Sequence, residues 1–387
     1  MPAKAIALSP AVGKLLRTGR QRLGYTLREV ERLTSTQGNL IPFSTLARIE
    51  QGRLDPGLRR LHDLLQLYGL PIQAAGDLLE LESIAGTVPK RTSFQDLRDR
   101  ATKAWQEGDI PTAVASYLAM RHRTEDEDAD RASRHESVLS FAVMAAKLGK
   151  HHIARQMLDD LLFDRPDQKT RFRVYLQAAS TWQALGSPEL AVGLVGAAEL
   201  LIEPGDRKGR GWLLHLRASI EIDLGAFTEA RKHLVEAART FEAAKRPYDR
   251  ALVLVAMARL EVESGNSTRA SQAARRATEF ASRKRFARIA ALAGIQEARA
   301  GLLSKNAEAT LKVLTQVLAE TVASSDNVIR FYAHFYLSKA YAETGDSLRS
   351  HVELQQAKYF VRFVDQASKE ASEVRGHLKH ESSASGK

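Results

Sequence analysis

Apolar residues at the N-terminal end of the chain recur every three or four positions, which is the period of a helix with one buried face. Val12, Leu15, Leu16 and Leu23 fall on one face of a first helix, and Gly24 follows them as a C-terminal stop. A helix this short is marginal by itself and needs neighbours that cover its apolar face. The pattern therefore predicts a small helical bundle at this end of the chain.

Capping signals divide the next residues into four more helices. Thr26 is placed to cap a second helix over 27–33, with Glu29 three residues later as its capping-box partner. Pro42 can begin a third helix, because the N–H that proline lacks has no helical partner at that position. The last two predicted helices lie at 57–68 and from Pro71 onward.

The rest of the chain repeats one pattern. From residue 94 to residue 366 a turn position recurs at intervals of 37 to 41 residues, and a small residue stands seven positions before each turn. Small side chains at fixed places let two helices cross closely, and such a pair must stack on neighbours to bury its faces. The turn residues are Gly108, Gly149, Gly186, Gly225, Gly265, Lys305 and Gly345.

Charge favours a polyanionic partner. The 387 residues include 57 Lys+Arg and 46 Asp+Glu, a formal net charge of +11. Residues 11–62 hold ten Lys+Arg and four Asp+Glu, so over half of the excess lies in this short segment. Such a concentration of positive charge suits nucleic acid, although charge alone does not identify the partner.

Several classes of protein are excluded or disfavoured. Cysteine is absent, so no disulfide framework or thiolate metal site is expected. The first ten residues lack the apolar core of a signal peptide, and the longest apolar stretch, 190–202, contains Glu199 and is too short to span a bilayer. We expect a cytoplasmic protein with no membrane partner.

Chemical motifs of enzymes are also missing. The glycines of 205–211 lack the Gly-Lys-Ser/Thr ending of a phosphate-binding loop, and no His-Glu-x-x-His pair occurs. His151 and His152 are adjacent, so on a helix they point in different directions and do not easily share a metal ion. The sequence predicts no enzymatic activity, no cofactor and no metal.

The N-terminal motifs resemble the Cro/repressor-type (XRE) helix-turn-helix family. The resemblance covers about 70 residues and rests on Val12-Gly13-Lys14, Gly24-Tyr25-Thr26, Leu46-Ala47-Arg48-Ile49-Glu50-Gln51-Gly52 and Asp55-Pro56. It implies a five-helix lambda-repressor-like DNA-binding domain over 10–83. Two features depart from the family: a longer turn with Gln37, Gly38 and Asn39 inserted, and Leu27 where glutamine is common.

A recognition helix of this family presents its N-terminal residues to base edges in the major groove of double-stranded DNA. The resemblance assigns base contacts to Phe43, Ser44, Thr45 and Arg48. It assigns phosphate contacts to Arg17, Arg20, Arg53 and Arg59. For Glu50 we expect an internal ion pair or a helix cap. Arg17 is expected either to be the partner of Glu50 or to bind a phosphate. Phe43 is expected either to contact DNA or to pack against the long turn.

The repeats resemble a tetratricopeptide (TPR) array. We expect a linker over 84–93, about seven TPR-like helical repeats forming a right-handed α-solenoid over 94–366, and a polar, disordered tail over 367–387. In such arrays the first helix of each pair lines a concave face. Side chains expected there are Arg173, Gln183, Trp212, His215, Arg259, Arg299 and Lys339.

Two alternatives are open for this face. Arg259, Arg299 and Lys339 fall six residues before successive turns, so they form either a basic stripe for a carboxylate or acidic partner, or a solvated face with internal ion pairs. The two parts together resemble the peptide-pheromone receptors of Gram-positive bacteria, whose grooves commonly use asparagine. The four asparagines of this chain all fall in predicted turns.

Function follows from the two parts. The sequence predicts an all-α, sequence-specific DNA-binding transcription regulator that forms a homodimer through its repeats and binds a peptide or protein effector there. The alternative is a TPR-like protein-interaction scaffold whose helix-turn-helix head does not bind DNA.

Overall fold

The computed structural model describes residues 9–36, 38–89, 92–124, 130–321, 326–363 and 367–384. Within these ranges the regular secondary structure is entirely helical, which confirms the predicted all-α class. The chain divides into two compact units between Ile84 and Ala85.

Five helices form the N-terminal unit, and local signals explain their starts. The Ser9 hydroxyl accepts a hydrogen bond from the Val12 N–H at 3.2 Å. Thr26 and Glu29 make the predicted reciprocal capping box, with the Thr26 N–H donating to Glu29 Oε2 at 2.6 Å and the Glu29 N–H donating to Thr26 Oγ1 at 3.2 Å. The helices are α1 (Pro10–Arg22), α2 (Leu27–Thr36), α3 (Phe43–Glu50), α4 (Gly57–Leu67) and α5 (Ile72–Ile84).

The second unit is an array of seven helical hairpins in the described part of the chain. Consecutive helices pair as α6–α7, α8–α9 and so on to α18–α19, and a 3₁₀ helix and α20 follow. The helices are α6 (Phe94–Glu107), α7 (Ile110–Arg123), α8 (Arg131–Lys147), α9 (His151–Phe163), α10 (Gln168–Ala184), α11 (Pro188–Glu199), α12 (Arg207–Asp223), α13 (Phe227–Ala243), α14 (Pro247–Glu263), α15 (Ser267–Arg283), α16 (Ala287–Leu303), α17 (Ala307–Thr321), α18 (Asn327–Glu343), α19 (Ser347–Phe360), the 3₁₀ helix Val361–Phe363 and α20 (Lys369–Ala384).

Turn residues and small residues take the places that the repeat predicts. The six turn glycines have positive φ, and Lys305 adopts the same left-handed conformation with φ 55°, where a side chain is strained. The alanines seven residues before the first six turns are fully buried at 0% exposure, and Ser338 holds this place in the seventh hairpin at 6%. Close crossing of paired helices is therefore built into the period.

The predicted disordered tail is wrong over most of its length. Residues 369–384 form α20, and its Ala371 and Val374 are fully buried in a cluster with Phe331 and Phe360. The helix forms because two small apolar residues one turn apart find an apolar surface on α18 and α19. The last three residues, 385–387, lie outside the described residues.

The predicted linker contains no helix over 85–89 and 92–93, while Ile84 still belongs to α5. The Gly86 N–H donates to the Pro111 carbonyl oxygen at 2.9 Å. The basic pair at 90–91 lies outside the described residues.

Candidate nucleic-acid interface and effector surface

The helix α3 is held in the N-terminal unit by its buried side. Leu46 and Ile49 are fully buried, while the N-terminal end of the helix faces solvent. A Cβ on Gly13 of α1 would lie 2.7 Å from the Ile49 carbonyl oxygen, so only glycine allows this approach of α1 to α3. The exposed side of α3 is thereby fixed relative to α1.

A buried ion pair joins the same two helices. Arg20 Nε donates to Glu50 Oε1 at 2.7 Å and Arg20 Nη2 donates to Glu50 Oε2 at 2.8 Å, while Nη1 donates to the Tyr25 carbonyl oxygen. The hydrogen bond to Glu50 raises the pKa of Arg20. The predicted phosphate contact of Arg20 is wrong, because its guanidinium is committed to this internal pair. Glu50 has the internal role that the sequence predicts, but its partner is Arg20 and not Arg17.

The turn between α2 and α3 is held by side chains. The Ile41 N–H donates to Thr34 Oγ1 at 3.2 Å, and the Asn39 side-chain amide donates to Asp63 of α4. Gly38 has a φ of +74° and its N–H bonds to the Ser35 carbonyl oxygen, as at a left-handed helix end. The longer turn is an ordered feature as far as it is described; its residue 37 lies outside the described residues.

Three of the predicted base-contacting residues lie at the N-terminal end of α3, and Arg48 lies one turn later, in the last turn of the helix. Phe43, Ser44 and Arg48 are exposed, and Thr45 is half-buried. The Arg48 guanidinium makes no hydrogen bond or ion pair with the described residues, so it is available to a ligand. Serine, threonine and arginine side chains on this helix can donate to base edges, and the phenyl ring can contact a thymine methyl group.

Arg28 also belongs to this surface, and it is not among the DNA contacts that the sequence predicts. Its guanidinium lies over the Phe43 ring, 5.9 Å from the centroid, while Glu31 Oε1 accepts the Phe43 N–H at 3.2 Å. Both side chains come from α2, so α2 and α3 present one joint surface. The sequence signal for Arg28 is its position in the first turn of the helix that Thr26 caps, and the first of two such helices crosses the DNA backbone.

The other predicted phosphate contacts are exposed. The guanidinium groups of Arg17, Arg53 and Arg59 make no hydrogen bond or ion pair with the described residues. Exposed, unpaired guanidinium groups can bind phosphate bidentately. The N-terminal unit therefore presents several free cations together with the polar end of α3.

In the array, the predicted basic stripe is already neutralised. Arg299 Nη2 donates to Glu263 Oε1 at 2.6 Å. Arg259 pairs with Asp223, and Lys339 pairs with Glu373 of α20. Of the two alternatives, the structure has the internal ion pairs, and the stripe offers no unpaired charge to an acidic partner.

Two more predicted groove residues are tied to neighbouring hairpins. The guanidinium of Arg173 makes a two-pronged ion pair with Glu136. Gln183 donates to Ser219 Oγ at 3.0 Å and to Asp223. These side chains join the first helices of successive hairpins, so their observed role is to hold the array together.

Trp212 and His215 belong instead to a set of side chains that we call the interior cluster: Trp105, Lys147, Trp212, His215, Tyr248 and Asp249. Trp212 Nε1 donates to Asp249 Oδ1 at 3.2 Å. The His215 imidazole makes no hydrogen bond with the described residues, and desolvation lowers its pKa to about 4. The imidazole is therefore neutral at physiological pH.

The interior cluster is closed by contacts between hairpins far apart in sequence. Trp105 Nε1 of the first hairpin donates to Tyr248 Oη of the fifth at 2.9 Å. Arg288 of the sixth hairpin donates to the Lys147 carbonyl oxygen at 2.6 Å and to Asp326 Oδ2 at 2.7 Å. The array thus folds back on itself around the cluster.

Metal and membrane sites find no support in the described part of the chain. It contains no group of three or more histidine, aspartate or glutamate side chains that could hold a metal ion. None of its helices combines the length and the apolar character that a membrane span requires.

Comparison with known proteins bears on the N-terminal unit first. Residues 11–78 match the family model described as a helix-turn-helix domain. The chain carries an N-terminal helix-turn-helix domain. Within this domain, α2 and α3 are the two helices that flank the turn. No curated protein matches the chain significantly.

Solved structures bear on the fold. A Rap protein complexed with competence and sporulation factor has 13% identity and a TM-score of 0.53, over 74% of this chain and 87% of that chain. A tetratricopeptide repeat protein from Parabacteroides merdae has 13% identity and a TM-score of 0.44, over 73% and 96%. Bacillus thuringiensis PlcR, in complex with the peptide PapR7 and DNA, has 9% identity and a TM-score of 0.37, over 96% and 99%. The fold likeness to the Rap protein, the helix order and the N-terminal family match confirm the predicted fold class, a helix-turn-helix domain followed by a TPR-like solenoid.

Proposed function

We propose that this chain is a sequence-specific DNA-binding transcription regulator whose TPR-like array forms a homodimer and binds an effector. The observation that carries the proposal is the exposed, unpaired Arg48 beside Ser44 on α3 of a helix-turn-helix domain. Burial of Leu46 and Ile49 fixes the orientation of α3, which a base-reading helix requires.

In the proposed complex, the N-terminal end of α3 enters the major groove. Arg48 reads guanine, Ser44 and Thr45 donate to base edges, and Phe43 contacts a thymine methyl group. Arg17, Arg53 and Arg59 bind phosphates, which adds affinity without sequence information. We add Arg28 to the phosphate contacts, since it is exposed next to Phe43.

A selection from random duplexes followed by gel-shift titration tests DNA binding. Arg48→Ala should lower affinity for the selected duplex by about 1–3 kcal/mol and relax the preference at one base pair. Arg239→Ala, an exposed arginine of α13, is the matched control and should leave binding unchanged. Unchanged affinity and preference in Arg48→Ala would contradict the placement of α3.

Salt dependence separates the regulator from a scaffold with an inert head. Binding of the regulator should weaken steeply as salt rises, and Arg53→Ala should reduce the slope of log K against log salt by about 0.9. A chain with no salt-dependent affinity for duplex DNA would instead be the TPR-like interaction scaffold.

Dimerisation is supported by an exposed apolar row on α19. Leu348, Val352 and Tyr359 are 76%, 49% and 52% exposed in the single chain, and Leu348 and Val352 stand one helical turn apart. A dimer would bring two α3 helices to half-sites about 34 Å apart. Leu348→Glu should shift the chain from dimer to monomer in sedimentation, and a wild-type chain that sediments as a monomer with and without DNA would refute the dimer.

A further inference from the structure

Cations occupy turns that join one hairpin of the array to the next. In the described part of the chain, every non-glycine residue with positive φ is a lysine or an arginine. Three of them, Arg165, Lys245 and Arg285, stand two residues after the second helix of a hairpin ends, with φ of 49°, 53° and 57°. Glycine and asparagine adopt this conformation more readily, so the backbone alone does not select a lysine or an arginine here.

The turn between the third and fourth hairpins also presents a cation. Gly205 has the positive φ there, and Arg207 begins α12 two residues later. Four successive turns therefore each carry an arginine or a lysine. The sequence is acidic at 125–129, in the turn before these four, and uncharged at 322–325, in the turn after them; both segments lie outside the described residues.

The charged groups along this edge are free. All of the side chains concerned are exposed, and their ammonium or guanidinium groups make no hydrogen bond or ion pair with the described residues. The paired arginines of the concave face, such as Arg259 and Arg299, differ from them in this respect. We call the free cations the basic rim: Arg165, Lys169, Arg207, Lys245, Lys284 and Arg285.

Contacts between neighbouring turns hold the basic rim together as one row. Each first helix begins where the preceding second helix ends, so these turns lie along one edge of the stacked hairpins. Side chains at each turn reach the next one. The contacts are Gln168 Nε2 to the Leu201 carbonyl oxygen at 3.1 Å, Trp212 Nε1 to Asp249 Oδ1 at 3.2 Å, and the Tyr248 ring to the Phe286 ring at 5.1 Å between centres.

The turns within hairpins lie at the other ends of the helices and have the opposite charge. Within two residues of the seven turn positions there are six carboxylates and three lysines. The same window around residues 165, 205, 245 and 285 holds seven Lys+Arg and four Asp+Glu. Of those carboxylates, Asp167 and Asp206 cap the helices that follow, and Asp164 pairs with Arg131 and His135. The excess of unpaired positive charge is therefore confined to one edge.

We propose that the basic rim is a second DNA-contacting surface, which binds phosphates of the duplex on either side of the site that α3 reads. The inference rests on the proposed function, since the helix-turn-helix domain brings the duplex to the chain. Once the duplex is held there, its flanking phosphates are at high effective concentration, so individually weak contacts add affinity. Lysine and arginine that neutralise phosphates contribute this affinity without reading sequence.

Gel-shift titration of the full-length chain with two duplexes tests the basic rim. The short duplex ends at the edges of the selected site, and the long duplex adds about two helical turns, roughly 20 base pairs, on each side. The wild-type chain should bind the long duplex at least about tenfold more tightly. The combined variant Arg165→Gly, Lys245→Gly, Arg285→Gly should lose most of this gain and bind the short duplex as the wild-type chain does.

Lys305 provides the matched control. It is exposed, has a φ of 55° and stands two residues after α16 ends, but its turn lies within a hairpin, at the opposite edge. On the long duplex, Lys245→Gly should reduce the slope of log K against log salt by about 0.9, as expected for one lost phosphate contact. Lys305→Gly should leave the slope and the affinity unchanged.

The choice of glycine separates DNA contact from a structural role. Glycine adopts positive φ without strain, so the three substitutions should leave the Tm close to that of the wild-type chain or above it. A cation at the end of a helix interacts favourably with the helix dipole, and Lys305→Gly removes that interaction as well. If the combined glycine variant fails to fold, glutamine at the same three positions carries the same expectation for both duplexes.

Two results would overturn the proposal: equal affinity of the wild-type chain for the two duplexes, or an undiminished gain in the combined variant. If the short duplex is bound and the flanks add nothing, only the basic rim is rejected; if no duplex is bound, the regulator is rejected too. Phosphatidylserine vesicles form a further arm. Vesicle binding that the combined variant loses, with no gain from DNA flanks, would assign the basic rim to a lipid surface and reject DNA.

Discussion

Arg20 and Glu50 show how one residue pair can set the recognition surface. Their side chains are 11% and 6% exposed, and two parallel hydrogen bonds join them. Arg20→Met should destabilise the helix-turn-helix domain by about 3–5 kcal/mol, because a buried carboxylate is left unpaired. Hydrogen exchange of α1 and α3 amides in the full chain measures this, with the exposed Arg17→Met as control. Equal protection in both variants would show that the pair adds no stability.

A titration prediction concerns His215. Its pKa is lowered from 6.5 to about 4 by desolvation, so the unfolded chain binds a proton between these values that the folded chain does not. This contribution to stability is therefore present above pH 6.5 and is lost as pH falls towards 4. His215→Leu should flatten the dependence of Tm on pH in this window, and the exposed His351→Leu should not. An unchanged slope in His215→Leu would refute the assignment.

For single residues, the sequence predicts which side chains are exposed better than it predicts which side chains form ion pairs. The exposed end of α3 follows from the burial of Leu46 and Ile49, which the helical period reveals. The choice of Arg20 as the partner of Glu50 depends on the rotation of α1 against α3, and Arg17 and Arg20 stand only one helical turn apart. Spacing along one helix does not decide such a pair.

The missing side chain of Gly13 determines how closely α1 packs against α3. A Cβ there would lie 2.7 Å from the Ile49 carbonyl oxygen and 3.0 Å from the Gly52 nitrogen, both backbone atoms. Gly13→Ala should push α1 from α3, lowering stability by about 1–3 kcal/mol and weakening DNA binding.

The matched control for this change is Gly76→Ala in α5, where the added Cβ meets no atom within 4 Å. This substitution should raise stability by about 0.4–1 kcal/mol, since alanine is the better helix residue. Thermal unfolding and gel-shift titration of both variants check the pair. A Gly13→Ala chain as stable as the Gly76→Ala chain would mean that the contact relaxes freely.

Elements with strong local signals were predicted, and those that depend on tertiary contacts were not. The turn position at Lys305 was recognised by period alone, and its φ of 55° confirms it. The helix α20 was missed because its sequence is mostly polar and its few apolar residues give a weak period. Its burial is supplied by α18 and α19, which local propensity does not describe.

At the scale of the array, closure is the feature furthest from the sequence. Trp105 and Tyr248 are 143 residues apart, and the period predicts contacts only between neighbouring hairpins. The curvature that brings the first hairpin to the fifth and sixth accumulates from small rotations in each repeat. The total curvature depends on the packing at every helix crossing, and no sequence motif encodes it.

Arg288 offers the sharpest test of closure. It pairs with Asp326 at 2.7 Å, with side chains 8% and 1% exposed, and its guanidinium lies 5.0 Å from the centre of the Trp105 ring. Arg288→Met leaves Asp326 buried and unpaired, so the Tm should fall by the equivalent of about 3–5 kcal/mol. Because Arg288 also joins Lys147 to the sixth hairpin, the variant should increase hydrogen exchange at the indole of Trp105.

The control for this prediction is a surface pair between α15 and α16. Arg275 contacts Glu297 of α16 at 3.1 Å but is 68% exposed, so Arg275→Met should cost no more than about 1 kcal/mol. If Arg288→Met and Arg275→Met lower the Tm equally, the Arg288–Asp326 pair is exposed to solvent and does not hold the first and sixth hairpins together. If only Arg288→Met loses protection at the Trp105 indole, the contact between the first and the sixth hairpin depends on the Arg288–Asp326 pair.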